Sequence, residues 1–121
     1  MEIGNVKAIY FVGIGGIGMS ALARYFKVMG YDVAGYDKTE SPLTRKMSEE
    51  EGFDITYEDV EAKIGEVFRD KEHTLVVYTP AVPGENRILS FFRENGYALH
   101  KRAEVLGFLS RSKKALCIAG T

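Results

Sequence analysis

Near its amino terminus the chain places four glycines within six residues, Gly13, Gly15, Gly16 and Gly18, between an apolar run and a run with helical spacing. Three of them form the pattern G-x-G-x-x-G. In such a loop the first glycine permits a tight turn, the second lets the backbone approach a ligand, and the third allows close packing of helix against strand. The N–H groups and the dipole of the following helix favour an anion. These residues therefore predict a diphosphate site.

An acidic residue at the end of the next apolar run is the second candidate for ligand contact. Asp37 stands 19 residues after Gly18, close to the spacing at which a carboxylate accepts hydrogen bonds from ribose hydroxyls. The alternative is that Asp37 only starts a turn before Lys38 and Thr39. A ribose joined to a diphosphate occurs in nicotinamide dinucleotides, flavins and nucleotide sugars, so these residues alone leave the ligand open.

Apolar runs of strand length alternate with amphipathic stretches along the chain, and this pattern predicts the elements that hold the candidate residues. The predicted strands cover 7–12, 31–37, 53–57, 74–79, 97–101 and 114–120, and the predicted helices cover 16–29, 41–52, 85–96 and 102–111. Residues 58–69 are weakly helical. The alternation predicts an α/β fold, a Rossmann-like, doubly wound and mostly parallel sheet of about five strands with helices on both faces.

Helix boundaries are marked by residues with known positional preferences. Leu22, Phe26 and Met29 have the spacing of one core face, and Gly30 follows as a stop. Ser41 has the properties of an N-cap for the second helix. The first helix is therefore expected to pack on the sheet through one apolar face.

The overall composition is that of one ordinary domain. The chain has 121 residues, 45% of them hydrophobic, and a net charge of -1, which argues against a general nucleic-acid surface. Cys117 is the only cysteine, and its apolar surroundings predict a buried side chain in a reducing, cytoplasmic setting. His73 and His100 are isolated in the sequence, so no metal site is expected.

The uncharged run from Ala8 to Ala23 has some features of a signal peptide. It lacks a positive leading segment because Glu2 offsets Lys7, glycines interrupt it, and it is too short to span a bilayer. We therefore expect neither export nor a membrane partner.

Several segments in order resemble the amino-terminal domain of the bacterial Mur ligases. They are "IYFVGIGGIGMSALA", "VAGYD", "VVYTPAVP", "KRAEVLGFL" and "ALCIAGT". Within that family the chain is most similar to the ligases that add L-alanine to UDP-N-acetylmuramate. The resemblance implies that this domain holds the UDP part of that substrate. A nicotinamide-binding domain of an oxidoreductase or a regulator remains the alternative.

The resemblance also implies which residues meet the nucleotide, through main-chain N–H groups at the diphosphate and side chains at the uridine. The implied residues are Gly13, Gly15, Gly16, Ile17, Gly18, Met19, Ser20, Asp37, Lys38, Thr39, Thr79, Pro80, Ala81 and Arg102. In this family the segment like "LCIAGT" continues into an ATP-binding loop, of which Gly120 and Thr121 would be the first residues. Residues 1–112 would then form the UDP-sugar domain and 113–121 the first strand of a truncated central domain.

The family reaction requires parts beyond this stretch. In the full-length enzyme ATP and magnesium would activate the muramyl carboxylate as an acyl phosphate, and L-alanine would attack it. No catalytic residue and no cofactor are therefore expected within the 121 residues, and the stretch alone is not expected to be active.

Overall fold

The computed structural model describes residues 3–112, which form five strands, four α-helices and three short 3-10 turns. In chain order these are β1 (Ala8–Val12), α1 (Ile17–Val28), β2 (Asp32–Tyr36), α2 (Pro42–Glu49), β3 (Asp54–Thr56), 3-10 turns at Glu61–Lys63, Glu66–Arg69 and Lys71–His73, β4 (Thr74–Tyr78), α3 (Arg87–Glu94), β5 (Ala98–Lys101) and α4 (Arg102–Ser112). The predicted strand over 114–120, the boundary at 112/113, Cys117, Gly120 and Thr121 lie outside the described residues.

The five strands form one parallel sheet in the order β3-β2-β1-β4-β5. Ala8 at the start of β1 pairs with Asp32 of β2 on one side and with Thr74 of β4 on the other. The chain order reverses between β1 and β4, and in open parallel sheets ligands bind beyond the carboxyl ends of the strands at that point. The predicted Rossmann-like fold is confirmed, and its topology directs attention to the loops after β1 and β4.

Alternating side chains of the strands supply two cores, one on each face of the sheet. Ile9 and Phe11 of β1 face the first core, which contains residues of α1, α2 and α4. Tyr10 and Val12 face the second core, which contains residues of α3 and of the 3-10 turns. Helices thus cover both faces, as the sequence pattern predicts for a parallel sheet.

The helix ends follow the expected local chemistry. The hydroxyl of Ser41 accepts the N–H of Thr44, and the Thr44 side chain accepts the N–H of Ser41 in return, which completes a capping box. Gly30, Gly52 and Gly96 all have positive φ, the conformation in which glycine ends a helix at low cost. Residues close in sequence were therefore sufficient to predict these helix ends.

Two sequence expectations differ from the structure. Met29 does not join the core face, because α1 ends at Val28 and Met29 is its C-cap, 49% exposed. Leu22 and Phe26 are buried as expected. Residues 58–69 form separate 3-10 turns rather than an α-helix, since only Ile64 and Phe68 anchor this segment in the second core.

Candidate functional site

The glycine loop between β1 and α1 is fixed by the end of β2. The backbone N–H groups of Gly13 and Ile14 both donate to the carbonyl of Tyr36, at 2.7 and 3.0 Å. Gly13 has a φ of 97°, and a Cβ there would lie 2.5 Å from Cγ2 of Thr79. A side chain is therefore excluded at Gly13 both by the backbone conformation and by the turn after β4.

The first turn of α1 has backbone donors that no side chain caps. Gly16 is the N-cap and provides no side-chain hydrogen bond. The helical ladder begins with the N–H of Ser20 on the carbonyl of Gly16 at 2.7 Å. Among residues 3–112, no acceptor is found for the N–H groups of Ile17, Gly18 and Met19. Such a group of free donors at the positive end of a helix dipole favours an anion.

The donors expected at Gly15 and Gly16 are already used within the protein. The N–H of Gly15 donates to Oδ2 of Asp37 at 2.8 Å, and the N–H of Gly16 donates to the carbonyl of Gly13 at 3.3 Å. A Cβ on Gly15 would lie 2.7 Å from Asp37 Oδ2 and 2.8 Å from Cγ2 of Thr44. Gly15 thus faces Asp37 and helix α2, and its lack of a side chain lets these groups come close.

Asp37 connects the loops that follow β1 and β2. Its Oδ2 accepts the Gly15 N–H and its Oδ1 accepts the N–H of Thr39 at 3.1 Å. A carboxylate has about four lone-pair positions, so each oxygen retains one for a ligand. Asp37 is therefore both a turn residue and a possible acceptor, and the two alternatives considered for it are compatible.

The turn after β4 forms the other side of the site. The carbonyl of Thr79 accepts the N–H of Val82 at 3.0 Å, and the Thr79 hydroxyl accepts the N–H of Ala81 at 3.4 Å. Pro80 is exposed at the tip of this turn. The turn is compact because its polar groups bond one another, and it packs against Gly13.

A cavity of about 250 Å³ lies between these loops at the carboxyl edge of the sheet. The predicted residues that line it are Gly13, Gly16, Met19, Asp37, Lys38, Thr79 and Ala81, and those not predicted are Tyr36, Val82, Pro83 and Asn86. Two residues of the second group could have been predicted from their positions, because Tyr36 ends β2 and Asn86 is the N-cap of α3, the helix that follows β4.

Tyr36 and Asn86 add two further polar groups to the cavity wall. Burial, together with the nearby carboxylates of Asp59 and Asp37, raises the pKa of the Tyr36 phenol, and the side-chain amide of Asn86 counteracts part of this rise. A tyrosine phenol is protonated at neutral pH even at its ordinary pKa of about 10, and it can donate a hydrogen bond. The cavity thus offers both donors and acceptors to a polar, planar group.

The remaining predicted residues lie beside the cavity and do not line it. Ser20 is buried and its hydroxyl donates to the carbonyl of Ile17 at 2.9 Å, so its side chain turns back onto α1. Ile17 is 87% exposed at the helix start. Arg102 begins α4, after β5, and its guanidinium lies against Gly18. The structure therefore brings Arg102, which follows a distant strand, to the start of α1.

A larger and shallower groove of about 630 Å³ lies near the other end of α1. Arg24 in this groove already forms a bidentate ion pair with Glu51, at 2.7 and 2.9 Å, and Lys27 lies over the Phe53 ring. None of the predicted ligand residues lines it. We regard it as a surface groove and locate the candidate site at the glycine loop.

Neither a metal centre nor a membrane span is found in the part of the chain that the structure describes. Within residues 3–112 no three His, Cys, Asp or Glu side chains come together to hold a metal ion. His73 bonds Asp70 at 2.7 Å, and His100 lies 3.7 Å from Glu104. No helix in this range is long and apolar enough to cross a membrane.

Comparison with known proteins identifies relatives of this chain. It is 53% identical over 121 residues to the UDP-N-acetylmuramate–L-alanine ligase of Cytophaga hutchinsonii, an alignment that covers 100% of the chain and 26% of that relative. It is 55% identical over 121 residues to the ligase of the same name from Parabacteroides distasonis, again covering 100% and 26%. The chain thus spans about a quarter of the length of these curated relatives.

A solved structure agrees with these sequence matches. The crystal structure of UDP-N-acetylmuramate-alanine ligase from Thermotoga maritima superposes with a TM-score of 0.75 at 32% identity, over 88% of this chain and 23% of that one. These matches give no support to the nicotinamide-binding alternative. The family model described as Mur ligase family, catalytic domain, matches residues 8–114, and the chain therefore belongs to the Mur ligase family.

Proposed function

We propose that this chain binds the UDP part of UDP-N-acetylmuramate, as one part of a longer ligase that joins L-alanine to that substrate. The observation that carries the proposal is the first turn of α1, where the N–H groups of Ile17, Gly18 and Met19 meet no acceptor among residues 3–112. In a Mur ligase family chain, this end of the helix is the natural place for the diphosphate.

The diphosphate would be held by backbone donors and by cations. The three free N–H groups of α1 would each donate to a phosphate oxygen, and such charge-assisted hydrogen bonds are worth about 1.5–3 kcal/mol each. Arg102 lies against the same turn, and Lys38 lies at the cavity wall. Both would offset the negative charge of the ligand.

The uridine would occupy the cavity next to this turn. The cavity volume of about 250 Å³ suits part of a nucleotide rather than the whole substrate. Asp37 would accept from a ribose hydroxyl or the base, while Tyr36 and Asn86 would meet polar atoms of the base. The turn formed by Thr79, Pro80 and Ala81 would close over the nucleotide. Thr39 would contribute by holding Asp37, and Ser20 by holding the first turn of α1.

The complete reaction would use the parts that this chain lacks relative to its relatives. ATP and magnesium would activate the muramyl carboxylate as an acyl phosphate, which the amine of L-alanine then attacks. Gly120 and Thr121, outside the described residues, would begin the ATP-binding loop, with the domain boundary near 112/113. UDP-linked precursors and ATP are cytoplasmic metabolites, so we place the enzyme in the cytoplasm.

The experiment is a ligand series on the chain itself. A ligand that binds only the folded state raises the melting temperature, so UDP and UDP-N-acetylmuramate are expected to raise it while NAD and NADP are not. NMR titration with the same compounds extends the test to weak binding. Stabilisation by NAD at lower concentration than by either UDP compound would contradict the proposal.

A further inference from the structure

The guanidinium of Arg102 lies directly over Gly18, on the first turn of α1. A Cβ on Gly18 would lie 2.9 Å from Nη1, 3.0 Å from Cζ and 3.0 Å from Nε of Arg102. Because the three atoms are almost equidistant from that point, the planar group rests with its flat face on the glycine. Its N–H bonds lie in that plane, so they do not point at the glycine.

This position of Arg102 has no evident structural benefit. Among residues 3–112 no carboxylate forms an ion pair with Arg102. By contrast, Arg45 of α2 pairs with Glu40, and both His100 and the N–H of Lys101 in β5 contact Glu104 of α4. The positive group also lies beside the positive end of the α1 dipole and at the start of α4, where cations are disfavoured. A bound anion that contacts both the edge of the guanidinium and the free amides would reverse this unfavourable balance.

The usual explanation for the third glycine of the motif does not describe Gly18. That explanation is close packing of the helix against a strand, but outside α1 the three nearest atoms to a Cβ on Gly18 belong to Arg102 and not to a strand. Close approach of a strand and the glycine loop instead occurs at Gly35, where a Cβ would lie 2.8 Å from Cβ of Ile14. Gly18 therefore makes room for a side chain from another element.

We propose that Gly18 is a positioning residue for Arg102, and that the pair forms the cationic half of an anion site whose other half is the free amides of α1. The inference rests on the proposed function, since it concerns the same diphosphate. It adds that the glycine acts through the arginine and not by admitting the ligand to the backbone. The motif glycine and the arginine after β5 would then be one functional unit.

A double-mutant cycle with Gly18→Ala and Arg102→Ala tests this coupling. The probe is inorganic pyrophosphate, with UDP as a second ligand, titrated by NMR. Each single substitution should weaken binding roughly tenfold, the scale of one charge-assisted hydrogen bond. If Gly18 acts through Arg102, adding Gly18→Ala to Arg102→Ala should cause almost no further loss.

Stability measurements separate this effect from damage to the fold. The alanine methyl would meet the end of a flexible side chain, which can move aside, and alanine is the better helix former. The melting temperature of Gly18→Ala without ligand should therefore equal or exceed that of the parent protein. Arg102→Ala should not lower it either, because the arginine lies beside like-signed charge.

Gly107→Ala is the matched control on α4. Gly107 is also a helical glycine beside a guanidinium, since a Cβ there would lie 3.3 Å from Nη1 of Arg111, and it lies away from the glycine loop. This variant should gain stability in the same way and should bind pyrophosphate like the parent. The Nε–H signal of Arg102 should respond to pyrophosphate in the parent and in Gly107→Ala, but not in Gly18→Ala.

The outcomes distinguish this inference from the proposed function. A parent protein that binds neither UDP nor pyrophosphate contradicts the proposed function itself. A parent that binds both, with losses that add in the double variant, contradicts only the coupling and assigns Gly18 to direct ligand approach. Unchanged binding in Gly18→Ala would also overturn the inference.

Discussion

Helices α1 and α3 both begin at the carboxyl edge of the sheet, on either side of the cavity, yet their first turns differ completely. In α3 the N–H groups of Arg87 and Ile88 donate to Asp59, each at 3.0 Å, and the N–H of Leu89 donates to Asn86 at 2.9 Å. The first turn of α1 has no side-chain cap. One helix end is satisfied by the protein, and the other is available to a ligand.

The hydrogen bonds at each helix end show which end has N–H groups available to a ligand. The first four N–H groups of any helix lack intrahelical partners, and native proteins satisfy them with caps, water or ligands. At α3 two separate residues serve this purpose, one of them Asp59 from the loop after β3. At α1 the sequence supplies Gly16 as N-cap instead. The uncapped end supports the proposed ligand site more directly than the cavity does.

The largest expected effect comes from removing a single backbone donor of α1. Ile17→Pro deletes the N–H of the first helical residue, where proline is well tolerated. Gly16 has φ -67° and ψ 150°, a conformation compatible with a following proline, and the side chain of Ile17 is 87% exposed. Affinity for UDP and pyrophosphate should fall about ten- to a hundredfold by NMR titration, with stability almost unchanged.

Two control variants define the cause of that loss. Ile17→Ala keeps the N–H and should bind like the parent. Arg87→Pro removes the corresponding donor of α3, which bonds Asp59, so it should cost about 1 kcal/mol of stability and leave UDP binding unchanged. If Ile17→Pro binds UDP as well as Ile17→Ala does, the α1 amide at this position is not a ligand donor.

The next effect in size concerns the cap of α3. Asp59→Ala leaves the N–H groups of Arg87 and Ile88 without their acceptor, and Ile88 is fully buried. The free energy of unfolding should fall by about 2 kcal/mol, measured by urea denaturation. Glu58→Ala removes a neighbouring acid that forms an ion pair with exposed Lys63, and it should cost less than about 0.5 kcal/mol.

Ligand binding by the Asp59 variant completes that test. UDP affinity should change little, because the amides that Asp59 caps are not those that we assign to the diphosphate. A loss of UDP affinity as large as that of Ile17→Pro would mean that both helix ends belong to the ligand site.

Sequence reasoning predicted the loops that surround the cavity but not the contacts between them. The glycine pattern, the strand ends and the Ser41 cap depend on residues close in sequence, and these expectations agree with the structure. The bond from Gly15 to Asp37, the cap of α3 by Asp59 and the contact of Gly18 with Arg102 join residues far apart. Only the order of strands in the sheet brings them together, so no local pattern could predict them.

A smaller effect separates the two roles of Asp37. It resembles Asp59 in accepting two backbone N–H groups, but one of them belongs to the glycine loop. Asp37→Ala should weaken UDP binding by about tenfold, because an acceptor for the uridine is lost. Pyrophosphate should bind equally well or slightly better, since a negative charge has gone and the Gly15 N–H is released.

The control for Asp37 is Asp32→Ala, at the exposed start of the same strand. It removes the same charge at the opposite edge of the sheet and should alter neither titration. Equal losses of UDP and pyrophosphate affinity in Asp37→Ala would show that Asp37 only shapes the loop.

The smallest expected effect is at the far end of α1, where protein contacts rather than a ligand hold the helix. Hydrogen bonding from Arg24 lowers the pKa of Glu51. A carboxyl whose pKa is lower in the folded state stabilises the protein at pH values above its unfolded pKa, which is about 4.3. This contribution is lost as the pH falls through the folded pKa. Glu51→Gln should therefore cost about 0.5 kcal/mol at pH 7.

Urea denaturation at a series of pH values checks this sign. The difference in stability between the parent and Glu51→Gln should shrink as pH falls below about 4, the range in which the unfolded carboxyl is already protonated. Glu50→Gln, at an exposed neighbour, is the control for the loss of one negative charge. Because this ion pair lies away from the glycine loop, Glu51→Gln should bind UDP like the parent, whereas a shared loss would mean that the whole of α1 must be held for the ligand to bind.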